Sequence, residues 1–193
     1  MNENVADRFS TLINIPIVGK AFTFASAAHA AVGQTRKYSG APYIVHPVEV
    51  CVLVAMTDDH TPEMLAGALL HDTVEDTQVT LELIQAHFGP VVMNHVSWLT
   101  DISKKTDGNR ATRKAIGRKH THMAPKQSQT IKCADLIANT KDICQADPDF
   151  AKVYMKEKRL LLEGMDADKK LMDYAWKLIT DWEAQNGSPA KEN

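Results

Sequence analysis

The densest group of chemically capable side chains directly follows an apolar segment and consists of His71, Asp72, Glu75 and Asp76. Residues four positions apart lie on one face of a helix, so His71 is expected above Glu75 and one aspartate above the other. An inner imidazole and carboxylate suit a divalent transition metal, and outer carboxylates suit proton transfer to water or a leaving group. A charged helix end running into an acidic loop gives the same pattern, so this run alone leaves both interpretations open.

Two further polar residues stand where apolar ones would be expected. His46 lies at the head of the apolar stretch 48–56, and Asp135 lies in the mostly apolar segment 131–138. Asn139 follows Asp135 by one helical turn on the same face. Buried ionisable groups need partners or a metal. A backbone hydrogen bond from His46 and a salt bridge from Asp135 are the ordinary alternatives.

The elements that must position these residues are helical nearly throughout. Segment 45–56 is almost wholly apolar and predicts a buried helix, and long alternating strand patterns are missing. Thr61 before a proline, the pair Gly89-Pro90 and Pro125 are typical helix boundaries. The sequence therefore predicts an all-α bundle of about eight helices. We expect one domain over 1–185 and a flexible tail over 186–193.

Composition excludes several classes of protein. With 193 residues, of which 44% are hydrophobic and 24% charged, the chain is not expected to be disordered. Its 22 basic and 24 acidic residues give a formal net charge of −2, which argues against binding held mainly by nucleic-acid phosphates. The sequence contains no apolar stretch of about 20 residues, so a membrane span is not expected, and no signal peptide is recognised. Three cysteines without a pairing pattern favour the reducing cytoplasm.

Taken together, these motifs resemble those of the HD-domain metal-dependent phosphohydrolases. The closer likeness is to the hydrolase domain of the stringent-response alarmone enzymes and to the free-standing small alarmone hydrolases. It rests on five short segments: GQTRK (33–37), GAPYIVHP (40–47), ALLHDTVEDT (68–77), HFG (87–89) and IKCADLIANT (131–140). A His-Asp pair alone is weak, whereas LLHDTVEDT with PYIVHP upstream and KCAD downstream is highly specific. The remaining residues leave no room for a synthetase domain, so a hydrolase-only form is expected.

The resemblance implies an all-helical HD fold and a role for each matching residue. Four residues match the metal ligands, usually of one Mn²⁺ ion: His46, His71, Asp72 and Asp135. Two match the acidic pair that acts on the water and on the leaving oxygen: Glu75 and Asp76. Four match nucleotide-binding positions: Arg36 and Lys37 at the purine base, Asn139 at the ribose and phosphate, and Tyr154 at the nucleotide.

A basic helix supplies the remaining candidates. Arg110, Arg113 and Lys114 recur at helical spacing, so one face of segment 110–120 carries three cations. A solvated charged face explains this spacing equally well. A substrate with two polyphosphate arms, however, needs a cationic rim, where charge-assisted hydrogen bonds are strong. The three tryptophans are assigned to the core or to helix contacts.

The expected reaction is Mn²⁺-dependent hydrolysis of the 3′-pyrophosphate of a guanosine or adenosine 3′,5′-polyphosphate. The products would be pyrophosphate and a nucleoside 5′-di- or triphosphate. Two alternatives stay open: an HD phosphohydrolase acting on another nucleotide, such as an adenosine alarmone analogue or the 2′-phosphate of NADPH, and a catalytically silent nucleotide sensor. The expected partner is a small purine nucleotide, with neither nucleic acid nor membrane. A homodimer and simple core packing explain the amphipathic last helix equally well.

Overall fold

A computed structural model describes residues 3–187, and in this range the chain is built from α-helices joined by short loops. The ten α-helices are α1 (Glu3–Leu12), α2 (Pro16–Ala31), α3 (Val45–Val54), α4 (Pro62–Leu70), α5 (Thr73–Asp76), α6 (Leu81–Leu99), α7 (Arg110–Met123), α8 (Lys126–Ala146), α9 (Pro148–Leu162) and α10 (Lys169–Asn186). A 3₁₀ turn covers Lys105–Asp107, and the β pairing in the described residues is one isolated antiparallel bridge between Thr35 and Pro42. The predicted all-α class is confirmed.

Local chemistry sets several helix boundaries as the sequence suggested. The Thr61 hydroxyl accepts a hydrogen bond from the backbone N–H of Met64 at 3.2 Å, and Asn109 caps α7 in the same way through Thr112 at 3.0 Å. Gly89 adopts a φ of 83° and a ψ of 174°, a non-helical conformation that favours glycine. It separates two helical stretches that meet at a kink within α6, as the pair Gly89-Pro90 predicted.

The end of α4 differs from the expectation. The stacking expected for His71 and Asp72 requires a helix that continues through them, but α4 ends at Leu70 and α5 restarts at Thr73. The Thr73 hydroxyl donates to the Leu70 carbonyl at 2.7 Å, and the His71 ring donates to the Ala68 carbonyl at 2.8 Å. Side chains thus occupy carbonyls that a continuing helix would use. Helix α1 and the single turn α5 were not anticipated.

The C-terminal boundary also moves. The Asp168 carboxylate caps α10 through the N–H groups of Lys170 and Leu171, so this helix begins at Lys169. Asn186, which was expected in a flexible tail, is the last residue of α10. The rest of that tail, residues 188–193, lies outside the described residues.

The core is centred on α3, α4 and α8. Every residue of 64–70 in α4 is buried, and α3 is buried on nearly all sides, as its apolar sequence predicted. A helix that is apolar all round belongs in the interior of a protein. Helices α2, α6, α9 and α10 pack around these three. The central helices therefore carry polar side chains into surroundings that exclude water.

The segment between α2 and α3, residues 34–43, turns back on itself, and we call it the hairpin loop. Besides the bridge between its two arms, the Arg36 N–H donates to the Ala41 carbonyl at 2.8 Å, and the Tyr43 N–H donates to the Gln34 carbonyl at 3.3 Å. Gly40 takes a φ of 67° at the bend. The loop packs beside the central helices. Three of its side chains, those of Gln34, Arg36 and Tyr43, donate hydrogen bonds to α5, to α8 and to the turn after α4.

Among residues 3–187, no single helix is both long and apolar enough to cross a membrane, and one bent pair, Val5–Leu12 with Pro16–Ala31 at 119°, passes by length and composition. The three cysteines are free, with Cys51 and Cys133 buried and Cys144 half-buried.

Candidate metal and nucleotide site

Four side chains from separate parts of the chain converge at one buried point. His46 lies in the first turn of α3, His71 and Asp72 follow α4, and Asp135 lies in the middle of α8. The Nε2 atom of His71 is 3.0 Å from Asp72 Oδ2 and 3.7 Å from Asp135 Oδ1. The Nε2 atom of His46 is 3.1 Å from the same Asp135 oxygen and 3.9 Å from Asp72 Oδ2. We call these four residues the His/Asp cluster.

The donor atoms of the His/Asp cluster fit a divalent cation. Ligand atoms of His46, His71 and Asp72 all lie within 4.8 Å of one another. Because His71 Nδ1 is hydrogen-bonded to the Ala68 carbonyl, Nε2 is left to face the cluster, and this buried atom has no hydrogen-bond partner. Metal-binding histidines are commonly held in this way by their other ring nitrogen. Imidazole and carboxylate together suit a divalent transition metal.

The electrostatics of the cluster favour an added positive charge. Burial opposes protonation of His71, but the charges of Asp72 and Asp135 outweigh burial and raise the pKa of His71 to about 10. Burial also disfavours the ionised form of Asp135, yet the nearby Lys132 and the two imidazoles hold its pKa well below the usual range. A proton and a metal ion would therefore compete for the same centre, so metal binding should release protons.

Neighbouring side chains fix both carboxylates of the cluster. The Tyr43 hydroxyl donates to Asp72 Oδ2 at 2.5 Å. Lys132 Nζ donates to Asp135 Oδ2, and Asn139 Nδ2 to Asp135 Oδ1, at 2.8 and 2.7 Å. Burial and the Asp72 charge raise the pKa of Tyr43, so its hydroxyl stays protonated and keeps donating. The ligand atoms are thus oriented before any ion binds.

The acidic pair Glu75 and Asp76 lies on the short helix α5. The stack expected above His71 and Asp72 assumed one continuous helix, and the break after Leu70 removes that assumption. Glu75 Oε2 accepts the backbone N–H of Asp101 at 3.1 Å, whereas Asp76 Oδ2 accepts the amide of Gln34 at 2.8 Å. Partial burial raises the pKa of Glu75. The two carboxylates are therefore held by different parts of the chain.

A cavity of about 400 Å³ opens beside the His/Asp cluster. Its walls bring together seven of the residues predicted from the sequence: Glu75, Arg110, Arg113, Lys114, Asp135, Asn139 and Tyr154. The other predicted ligands and Asp76 are not among the lining residues. Arg36 and Lys37 lie at the edge, because Arg36 donates to Asn139 at 3.1 Å and Lys37 Nζ is 5.8 Å from the ring centre of Phe150, a wall residue.

The predicted cations of α7 differ in their availability. Arg110 donates twice to Glu157, at 2.7 and 2.8 Å, and lies 5.3 Å from the ring centre of Phe150. Arg113 has a buried Nε without a hydrogen-bond partner. The Arg110 guanidinium is thus engaged with residues of the cavity wall, whereas Arg113 has an N–H group that can donate to a ligand.

Sequence reasoning missed several groups around the site. Tyr43 lies in the PYIVHP segment, and Lys132 precedes Asp135 by one helical turn. Their spacing from His46 and Asp135 could therefore have placed both residues near the site. Asp101 acts through its backbone, which no residue-type pattern discloses. Trp98, which was expected in the core or at a helix contact, contacts α7 by stacking on His120 with ring centroids 4.7 Å apart, and it also lines the cavity.

A helical bundle whose centre joins His46, His71-Asp72 and Asp135 defines a protein of the HD class. Residues 21–158 match the family described as HD domain, and the chain belongs to that family.

Named relatives make the likeness more specific. The chain is 33% identical over 168 residues to a guanosine-3′,5′-bis(diphosphate) 3′-pyrophosphohydrolase of Vibrio cholerae, covering 85% of this chain and 22% of that protein. It is 35% identical over 109 residues to the enzyme of the same name, MESH1, of Xenopus tropicalis, covering 56% and 59%. It spans about a fifth of the length of the long relatives it matches.

A solved structure supports the fold. It is described as a metazoan ortholog of SpoT that hydrolyses ppGpp, and it superposes with a TM-score of 0.71 at 23% identity. The superposition covers 89% of this chain and 96% of that one. The helical arrangement is therefore shared over nearly the whole of both chains.

Proposed function

We propose that this protein is a Mn²⁺-dependent hydrolase that removes the 3′-pyrophosphate from a guanosine or adenosine 3′,5′-polyphosphate. The products are pyrophosphate and a nucleoside 5′-di- or triphosphate. One observation carries the proposal: Asp135 of the His/Asp cluster, Glu75 and the cations Arg113 and Lys114 line one cavity. Two relatives whose names specify this hydrolysis support it.

The ion would be held by His46, His71, Asp72 and Asp135. When bound, it supplies the charge that activates water and neutralises phosphoryl oxygens. We propose Mn²⁺ because it accepts carboxylate oxygens and because the resemblance of the motifs implies it.

Glu75 is the proposed acceptor of the proton from the attacking water. It lines the cavity, and the Asp101 N–H limits the movement of its carboxylate. Partial burial moves its pKa towards neutral pH, where proton transfer is most effective. Asp76 is the proposed donor towards the departing 3′ oxygen.

The substrate would be bound by groups on both sides of the cavity. Arg113 and Lys114 would bind phosphate oxygens through charge-assisted hydrogen bonds. Asn139 and Tyr154 line the same cavity, and Asn139 also donates to Asp135 of the cluster. Arg36 and Lys37, on the hairpin loop, would pack against the purine.

A turnover assay tests the proposal. Metal-stripped protein is incubated with guanosine and adenosine 3′-pyrophosphate 5′-polyphosphates and with NADPH, with and without Mn²⁺, and products are resolved by ion exchange. Release of pyrophosphate that depends on Mn²⁺ supports the reaction and identifies the preferred base. No release from either alarmone while the ion is bound would overturn it.

Two finer features are also proposals. A cytoplasmic location is supported by three free cysteines, which are typical of reducing compartments. A homodimer is the second of these proposals, and light scattering in solution tests it.

A further inference from the structure

A chain of hydrogen bonds connects the buried face of α2 with Asp76. Gln34, the first residue of the hairpin loop, donates from Nε2 to Asp76 Oδ2 at 2.8 Å. Its Oε1 lies 2.6 Å from Nδ1 of His29. An amide oxygen only accepts, so the His29 Nδ1–H is the donor. Both ends of the Gln34 amide are therefore engaged, and its orientation is fixed.

His29, the first residue of this series of hydrogen bonds, is held in a fixed position. The imidazole is only 1% exposed, and its ring packs on that of Tyr43 with centroids 4.7 Å apart. Burial lowers the pKa of His29, which favours the neutral ring that carries its single proton on Nδ1. The Tyr43 hydroxyl in turn donates to Asp72. His29 thus contacts both Gln34, which binds Asp76, and Tyr43, which binds Asp72.

Asp76 depends on Gln34 for its orientation. The Asp76 side chain is exposed and lies at the end of a helix of four residues. Among the described residues, the Gln34 amide is the one hydrogen-bond partner found for its carboxylate. Glu75 is held separately by the Asp101 N–H, so the two acidic groups are controlled from different loops.

We propose that Gln34 is a positioning residue for Asp76, and that His29 sets the direction of the Gln34 amide. This inference rests on the proposed function, in which Asp76 transfers a proton to the leaving oxygen. An exposed carboxylate without a partner samples several rotamers, and proton transfer requires it within hydrogen-bond reach of one atom. Gln34 would therefore act on the catalytic step more than on substrate binding.

Two substitutions separate these effects. Gln34→Leu removes both hydrogen bonds, and Gln34→Glu keeps the size of the side chain while turning a carboxylate towards Asp76. Each should lower kcat by about 10- to 100-fold, as loss of a supporting partner typically does, with KM changed much less. Gln85→Glu, on the exposed surface of α6, adds the same charge elsewhere and should leave kcat unchanged.

A double-mutant cycle shows whether Gln34 acts through Asp76. In an Asp76→Asn background, followed at enzyme concentrations that resolve the residual rate, Gln34→Leu should add almost no further loss of kcat. Equal losses in both backgrounds, or a Gln34→Leu variant with the wild-type kcat, would overturn the inference.

NMR of the metal-free chain supplies a readout that needs no turnover. The Gln34 side-chain amide resonances should move on Asp76→Asn, and the ¹⁵N shifts of His29 should show a proton on Nδ1. If the wild-type chain releases no pyrophosphate, the proposed function fails, and the amide resonances alone decide the inference. Resonances indifferent to Asp76→Asn would refute it.

Discussion

Glu75 and His71 lie four positions apart, yet the structure gives them different partners. Glu75 lines the cavity outside the cluster of ligand atoms, whereas His71 faces that cluster. Glu75→Ala should therefore keep Mn²⁺ and lose turnover by about 10²- to 10⁴-fold, the usual contribution of a general base. His71→Ala should lose both. Metal content and pyrophosphate release are measured on the same samples, and a Glu75→Ala variant with the wild-type rate would remove Glu75 from the reaction.

Tyr43 should affect the affinity for the ion. Its hydroxyl donates to Asp72 Oδ2 at 2.5 Å, and Tyr43→Phe removes that bond while keeping the ring against His29. Loss of such a supporting partner typically weakens metal binding by about 10- to 100-fold. Titration of free Mn²⁺ by electron paramagnetic resonance measures the change. Tyr174→Phe, on the surface of α10, is the matched control, and equal affinities of both variants would contradict the prediction.

Residue types marked the four side chains of the cluster as unusual, and the resemblance of the motifs to the HD family grouped them. Neither was enough to predict the state of Arg110, because its partner Glu157 lies 47 residues later. A pattern within one helix does not show which carboxylate of another helix neutralises a cation. The same holds for Asp76 and Gln34, which are 42 residues apart.

At the scale of elements, α8 and α9 pack around an amine without a carboxylate partner in the described residues. Lys158 is 1% exposed and donates to the Thr140 hydroxyl at 2.7 Å. Burial lowers its pKa from 10.5 to about 8. The folded state therefore disfavours the protonated amine. Its contribution to the free energy of unfolding falls as the pH decreases from about 10 to 8, and below pH 8 the contribution stays constant because the amine is then protonated in both states.

Lys158→Met should raise the free energy of unfolding at pH 7 by roughly 1–3 kcal/mol, because it removes that penalty. The gain should shrink at pH 9.5, where the wild-type amine is largely neutral in the folded chain. Urea unfolding at both pH values measures it. Lys152→Met, at an exposed position of the same helix, should show no such dependence, and an equal gain at both pH values would contradict the explanation.

Helix boundaries were predictable where a capping side chain stands next to the first turn, as at Thr61 and Asn109. The end of α4 was not, because it depends on side chains that return to carbonyls of the preceding turn. Thr73 and His71 both donate to such carbonyls, and the type of neither residue predicts this hydrogen bond from the sequence.

At the scale of the whole molecule, a bound ion would connect helices that are distant in the chain. The proposed ligands belong to α3, the turn after α4, and α8. A ligand that binds only the folded state stabilises it by about 2.7 kcal/mol at 100 times its Kd. Mn²⁺ should therefore raise the melting temperature relative to chelator. His71→Ala should lose this shift, and a wild-type chain that melts identically in both conditions would argue against an ion in the cluster.

The helical class and the buried α3 followed from hydrophobic patterning alone. The sequence did not predict the cavity, because its walls come from α5, α6, α7, α8 and α9 and depend on how these helices pack. Patterning shows which face of a helix is buried but not which helix covers it. The motifs predicted where the ligands would meet, and the packing determined what surrounds them.

Trp98 gives the molecule an optical probe of its own. Its indole stacks on His120 in the cavity wall, whereas Trp176 and Trp182 lie on α10 and are not among the lining residues. A nucleotide that enters the cavity should change the surroundings of one indole out of three and leave the other two as an internal reference. Fluorescence titration would then report occupancy without a label, even for variants that leave the nucleotide intact.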